Sequence, residues 1–133
     1  MSTKRAIWTS AAPGPTIGAP YSQAIVAGEF VFVSGQLPVD PATGEVAGTT
    51  VAEQTVQVMR NLSAVLEAAG TGLEQIVKTT VYLTTRADWP EMNDAYKAFV
   101  GPIPPARVAV VTTELGLGAL VEIDAIAHLG ARQ

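Results

Sequence analysis

Arg107 and Glu122 are the two side chains whose types and surroundings best suit chemistry on a small molecule. Arg107 follows Pro104-Pro105-Ala106 and begins an otherwise apolar stretch, where an arginine needs a partner because its charge cannot be buried alone. Its guanidinium could bind a small-molecule carboxylate through two parallel hydrogen bonds. Glu122, on the next predicted strand, could hold or deprotonate a water molecule for attack on the neighbouring carbon.

The same charges also have a purely structural interpretation. Glu122 and Asp124 share one face of their strand by the two-residue alternation, so either could form a cross-strand ion pair with Arg107. Whether Arg107 points to that face depends on the strand register, which a slip of one residue would reverse. From the residues alone the ion pair is favoured, since structural ion-pair networks imitate active sites.

Several common kinds of site are excluded by residue types. The chain has no cysteine and one histidine, which excludes thiolate nucleophiles, sulfur-based zinc sites and multi-histidine metal sites. It also lacks a Walker A loop, a G-x-S-x-G elbow and an H-E-x-x-H helix. Twelve acidic against eight basic residues give a net charge of −4, which disfavours nucleic acid as a partner.

The first half of the chain predicts a hairpin followed by a helix. Two short apolar runs joined by Gly28-Glu29 indicate a β-hairpin with a two-residue turn, and residues 5–9 could add a strand before it. Thr50 and Glu53 form a capping box, and apolar residues then recur at helical spacing as far as Gly70.

The second half predicts a strand, a helix and two further strands. Residues 76–85 are rich in β-branched side chains, and a second helix begins at Asp88. Residues 106–113 and 120–128 are expected to be strands joined by a hairpin loop at 115–118. The order β-β-α-β-α-β-β predicts an α+β fold with the helices on one face of the sheet.

Composition predicts one domain over residues 1–133 that associates with copies of itself. Only 15% of the residues are charged, against about 25% in a typical protein, and several strands are apolar on both sides. A second subunit would cover the sheet face that the helices leave open. No apolar run is long enough for a membrane span or a signal peptide, so a cytoplasmic location is expected.

The sequence also resembles a known family, the Rid family of reactive-intermediate deaminases, which is also described as the endoribonuclease L-PSP group. The resemblance covers nearly the whole chain. It is carried by Ile17-Gly-Ala-Pro-Tyr-Ser-Gln23, Phe32-Val-Ser-Gly-Gln-Leu-Pro38, Asn61 with Ala68-Ala-Gly70, Ile76-Val-Lys-Thr-Thr-Val81, Met92-Asn-Asp-Ala-Tyr96, Pro105-Ala-Arg107 and Val121-Glu-Ile-Asp-Ala-Ile-Ala127.

The resemblance implies a chorismate-mutase-like fold assembled as a homotrimer, whose sheets form a central barrel with active sites between subunits. It implies no cofactor and no metal. Arg107 matches the arginine that binds the substrate carboxylate, and Glu122 matches the acid that positions the attacking water. The remaining positions of the implied pocket are Tyr21, Ser34, Asn93 and Ala109, of which Ala109 replaces a frequent cysteine and offers only its backbone amide.

The implied activity is hydrolysis of reactive enamine and imine acids, such as 2-aminoacrylate and 2-iminobutanoate, to 2-oxo acids and ammonia. One alternative is a pathway-specific deaminase for a larger enamine acid such as 2-aminomuconate. Another is a trimeric small-ligand-binding or chaperone-like protein that turns nothing over. Ribonuclease activity, a label used for part of the family, is disfavoured by the acidic charge and the lack of paired histidines.

Overall fold

The chain folds into one six-stranded sheet with two helices packed on one face. The computed structural model describes residues 3–130, so both ends of the predicted domain, 1–133, lie outside the described residues. The elements are β1 (Lys4–Ile7), β2 (Ala24–Ala27), β3 (Phe30–Gln36), α1 (Val51–Ala68), β4 (Ile76–Leu83), α2 (Trp89–Lys97), β5 (Ala106–Val111) and β6 (Val121–His128). Neither α1 nor α2 is long and apolar enough to cross a bilayer.

The start of α1 confirms the predicted capping box. The Thr50 hydroxyl accepts a hydrogen bond from the backbone N–H of Glu53, and the Glu53 carboxylate accepts one from the backbone N–H of Thr50, both 3.2 Å long. These bonds satisfy backbone donors that the first turn of a helix leaves without partners. The apolar stripe then buries Val58, Leu62 and Leu66 completely against the sheet.

The sheet order is β1-β2-β3-β6-β4-β5. Strands β1, β2 and β3 form an antiparallel meander, and β6 lies between β3 and β4 and is antiparallel to both. The predicted β2–β3 hairpin is confirmed, with Gly28 at φ +59° as its first turn residue. Glycine adopts this left-handed conformation at little cost because it has no Cβ.

The predicted hairpin between β5 and β6 is wrong. Strand β5 pairs with β4 in parallel, and β6 pairs with the other edge of β4. The physical reason is α2, which carries the chain back along β4 and so delivers β5 to its outer edge, as a parallel connection requires. Residues 112–120 then cross β4 instead of turning back, with a short 3-10 turn at Gly116–Gly118.

Two buried amide side chains fix the loops beside the sheet. The Gln23 amide donates to the carbonyls of Thr9, Ala12 and Pro13, and it accepts from the backbone N–H of Thr9 at 2.7 Å. On α1, the Asn61 amide likewise donates to two carbonyls of the loop that follows β3. Both side chains therefore replace regular backbone pairing in segments rich in proline and glycine.

The sheet face opposite the helices is uncovered in the single chain. Its apolar side chains include Phe32 and Val108, which are each 45% exposed, on strands three positions apart in the sheet order. Phe30 and Val110 add to this apolar surface. We call this apolar surface, together with the polar side chains that lie among its apolar ones, the open face. Its extent agrees with the prediction that another subunit covers it.

Candidate functional site

Arg107 is held on the helix side of β5 by two residues of α2. Its Nη1 donates to the Asn93 side-chain oxygen at 2.8 Å, and its guanidinium carbon lies 5.2 Å from the centre of the Tyr96 ring. No carboxylate among residues 3–130 lies within salt-bridge distance of it. Most of its five N–H donors are therefore available to a ligand that carries a carboxylate.

Tyr96 also belongs to this site, although the sequence did not identify it as a site residue. Its hydroxyl lies 2.7 Å from the hydroxyl of Thr79 on β4, which fixes the ring beneath the guanidinium. Burial raises the pKa of the Tyr96 phenol, although the hydrogen bond with Thr79 and the charge of Arg107 act to lower it. The ring therefore stays uncharged at neutral pH. The sequence did contain a signal for Tyr96: it lies three residues after Asn93, and this spacing places the two side chains on one face of a helix.

Ala109 lies on the same side of β5 as Arg107, two residues farther along the strand. Asn93, Tyr96 and Arg107 line a cleft of about 420 Å³ that opens at the end of α2. We call Asn93, Tyr96, Arg107 and Ala109 the arginine group. It joins a cation, an amide and an aromatic ring, which suits it to a small planar carboxylate.

Glu122 lies on the open face, beside the irregular part of β3. Its strand neighbour on β4 is Tyr82, and Asp124 is two residues along its own strand. Burial, and to a lesser extent the charge of Asp124, raises the pKa of Glu122. A carboxyl group with a raised pKa binds and releases protons closer to neutral pH, as general acid–base chemistry requires.

Tyr21 and Ser34 lie beside Gly35, whose backbone closely approaches the Glu122 carboxylate. The Ser34 hydroxyl donates to the carbonyl of Ser22 at 2.6 Å, so it anchors the segment that carries Tyr21. Tyr21 is exposed and lines a cleft of about 370 Å³ together with Gly35. Gly35 and Ser34 also line a second cleft, of about 340 Å³, on the open face. We call Tyr21, Ser34, Gly35 and Glu122 the glutamate group.

The two groups lie on opposite faces of the sheet. Arg107 is paired with Thr79 and Glu122 with Tyr82, and positions 79 and 82 of one strand point to opposite sides. The expected ion pair between Arg107 and Glu122 or Asp124 is therefore wrong, because β4 separates the strands and the side chains diverge. A site that uses both Arg107 and Glu122 needs two copies of the chain.

Comparison with known proteins places the chain in a family. The model of the family described as Endoribonuclease L-PSP matches residues 9–129. A RutC family protein of Pyrococcus horikoshii is 49% identical over 94% of this chain and 98% of its own length. The human 2-iminobutanoate/2-iminopropanoate deaminase is 39% identical over 96% of this chain and 91% of its own length.

Solved structures agree with this assignment. The crystal structure of TdcF from Escherichia coli with bound serine has a TM-score of 0.87 and 36% sequence identity to this chain, and the match covers 93% of this chain and 98% of that one. The α+β architecture predicted from the sequence is thus confirmed. The chain belongs to the endoribonuclease L-PSP family, whose motifs its sequence resembles.

Proposed function

We propose that this protein hydrolyses small 2-imino and enamine acids, such as 2-iminobutanoate and 2-aminoacrylate, to 2-oxo acids and ammonia. The observation that carries the proposal is Arg107, which is oriented by Asn93 and Tyr96 and has no carboxylate partner among residues 3–130. Two supporting facts are the deaminase name of the human relative and the serine, a small amino acid, bound in the Escherichia coli structure.

The proposed active site lies between subunits of a homotrimer. The arginine group of one subunit faces the glutamate group of its neighbour, and the open faces of the three sheets line a central barrel. This arrangement covers the exposed Phe32 and Val108 side chains and brings together two groups that one chain holds apart. It requires neither a cofactor nor a metal ion.

The proposed reaction begins when Arg107 binds the substrate carboxylate and fixes C2 near a water molecule that Glu122 orients. An enamine first takes up a proton at C3 and loses one from its nitrogen, which makes it the imine. The water gives a proton to Glu122 and its oxygen bonds to C2, while the C=N electron pair moves to the nitrogen, which is protonated. The hydroxyl proton of the resulting carbinolamine is then transferred to the nitrogen, the C–N bond breaks to release ammonia, and the 2-oxo acid remains. Glu122 can return its proton to the nitrogen, and the Tyr21 hydroxyl is the alternative donor.

A threonine or serine dehydratase can supply the unstable substrate for the test. Semicarbazide traps the released imine, so an active deaminase lowers the amount trapped without changing the rate of final oxo-acid formation. No effect on trapping, combined with binding of a 2-oxo acid, would favour the non-catalytic binding protein. Activity only on 2-aminomuconate would favour the deaminase of a larger acid.

Replacing Glu122 with glutamine tests the proposed base. Glu122→Gln keeps the size of the side chain but removes the proton-accepting oxygen, so we expect a loss of about 10²- to 10⁴-fold in the enzymatic rate. Wild-type activity should fall as the pH is lowered, at a pH above the ordinary glutamate value of 4.5, because the pKa of Glu122 is raised and the base must be unprotonated. Glu67→Gln, on the exposed side of α1, is the control. An unchanged rate in Glu122→Gln would refute the assignment.

Asn93 is expected to affect substrate binding more than turnover. Asn93→Ala removes the acceptor that orients Arg107, and a hydrogen bond of this kind contributes about 1 kcal/mol or more, so KM should rise about five- to tenfold. Asn93→Asp should raise KM further, because the new carboxylate pairs with Arg107 and competes with the substrate. Steady-state kinetics of both variants check this order, and the reverse order would contradict an anchoring role for Arg107.

A further inference from the structure

The β3–β6 pairing contains a bulge beside Glu122. Val33 pairs with Ala125 and Gln36 pairs with Ile123, so Ser34 and Gly35 together stand opposite the single residue Asp124. A bulge of this kind bends its strand and redirects nearby side chains, and it is often found beside active sites. The bulge is therefore placed to control where the Glu122 carboxylate lies.

Gly35 has an unusual reason to be glycine. Most glycines of the described chain have positive φ, but Gly35 does not, so its backbone conformation is open to other residues. What it provides is space: a Cβ at position 35 would overlap Oε2 of Glu122 and lie 3.1 Å from its Cδ. The atom in the way is the far end of a flexible side chain. An alanine would therefore displace the carboxylate and leave the strand intact.

We infer that Gly35 is a positioning residue, whose missing side chain lets the Glu122 carboxylate lie across the bulge in its working position. The inference rests on the proposed function, in which that carboxylate directs the attacking water. Ser34 holds the same bulge by donating to the carbonyl of Ser22, so the backbone under Glu122 is fixed from the other side. Gly35 also lines both the cleft that contains Tyr21 and the cleft on the open face.

The test is Gly35→Ala, with Gly72→Ala as a matched control. At Gly72, whose φ of −157° is also open to other residues, a Cβ would lie 2.7 Å from Oε2 of Glu74, so the control creates the same kind of clash away from Glu122. We expect Gly35→Ala to lower kcat by about tenfold to hundredfold, with KM changed by less than about threefold, because the base is misplaced and the anchor is not. Gly72→Ala should match the wild type. Equal kcat values in all three proteins would overturn the inference.

A double variant separates positioning from a general structural effect. Glu122→Asp shortens the acid by one methylene group and should reduce activity, but it also removes the overlap with an alanine at position 35. We expect Gly35→Ala/Glu122→Asp to be as active as Glu122→Asp alone, within about twofold, because the two changes compete for one space. Losses that multiply would show that Gly35 acts independently of the carboxylate and would overturn the inference.

A titration of Glu122 tests the same point without any assay of activity. The titratable side chains around Glu122 are Asp124 on β6, Tyr82 on β4 and Tyr21 on the loop that Ser34 anchors; Lys78 lies farther along β4, and β3 contributes none. Displacement toward solvent relieves the burial that raises the pKa of Glu122, so this pKa should fall in Gly35→Ala and stay unchanged in Gly72→Ala. Carbon-13 NMR of labelled glutamate measures it. If the wild type proves inactive as a deaminase, this titration still decides the role of Gly35, and identical curves would overturn it.

Discussion

Arg107→Ala is expected to lower kcat/KM for 2-iminobutanoate hydrolysis by about 10²- to 10³-fold. The guanidinium is the cation that the proposed site offers to the substrate carboxylate, and hydrogen bonds between charged groups contribute about 1.5–3 kcal/mol each. Its loss also removes the orientation of C2 toward the water held by Glu122. The semicarbazide assay measures the effect, and trapping should return to the level seen without the enzyme.

Two further variants define what Arg107 does. Arg107→Lys keeps the positive charge but loses the planar fork and much of the stacking on Tyr96, so it should recover only a small part of the activity. Arg86→Ala is the matched control, because Arg86 also lies over an aromatic ring, at 5.3 Å from the centre of Trp89, but belongs to neither group. Wild-type kinetics in Arg107→Ala would refute the anchoring role.

Local elements of the fold were predictable because their signals lie within a few residues of one another. The capping box at Thr50 is formed by a side chain and a backbone group three positions apart, and both appear in the structure as expected. The β2–β3 hairpin follows from a two-residue turn at Gly28. Neither prediction depended on how the rest of the chain is arranged.

The order of the strands was not predictable in the same way. The two last strands are adjacent in sequence and were expected to pair, but α2 places β5 on the outer edge of β4 and leaves the inner edge to β6. This choice depends on long-range packing, which short patterns do not encode. The error changed the interpretation of Arg107, because its partner was sought on β6 when it lies on α2.

The candidate site was likewise predictable only in part. The residue types suggested an arginine that binds a carboxylate and an acid that handles water, but spacing alone favoured an ion pair between them. Tyr96 and Gly35 were not identified as site residues, since their contributions are a ring beneath Arg107 and a space beneath Glu122. Such contributions become visible only when the facing elements are in place.

Because each chain holds the two groups apart, the proposed site is shared between subunits. This leads to a prediction that a site formed within one chain would not make. If each active site takes Arg107 from one subunit and Glu122 from its neighbour, the inactive variants Arg107→Ala and Glu122→Gln should restore activity when mixed in one trimer. In a random equal mixture, each required residue is present at a site about half of the time. About a quarter of the sites should therefore be intact before selection. Purification that keeps only mixed trimers removes those with three identical subunits and leaves one intact site in three, so activity should approach a third of the wild-type value.

Coexpression of the two variants with different affinity tags, followed by purification through both tags, provides the mixed assemblies. Light scattering first establishes the number of subunits, for which we expect three. The control pairs Glu122→Gln with the double variant Arg107→Ala/Glu122→Gln, which supplies no intact Glu122 and should stay inactive. Recovery in the first mixture alone would establish a shared site. Mixed trimers without recovery would mean that Arg107 and Glu122 act in separate sites, because the sheet holds them on opposite faces of every single chain.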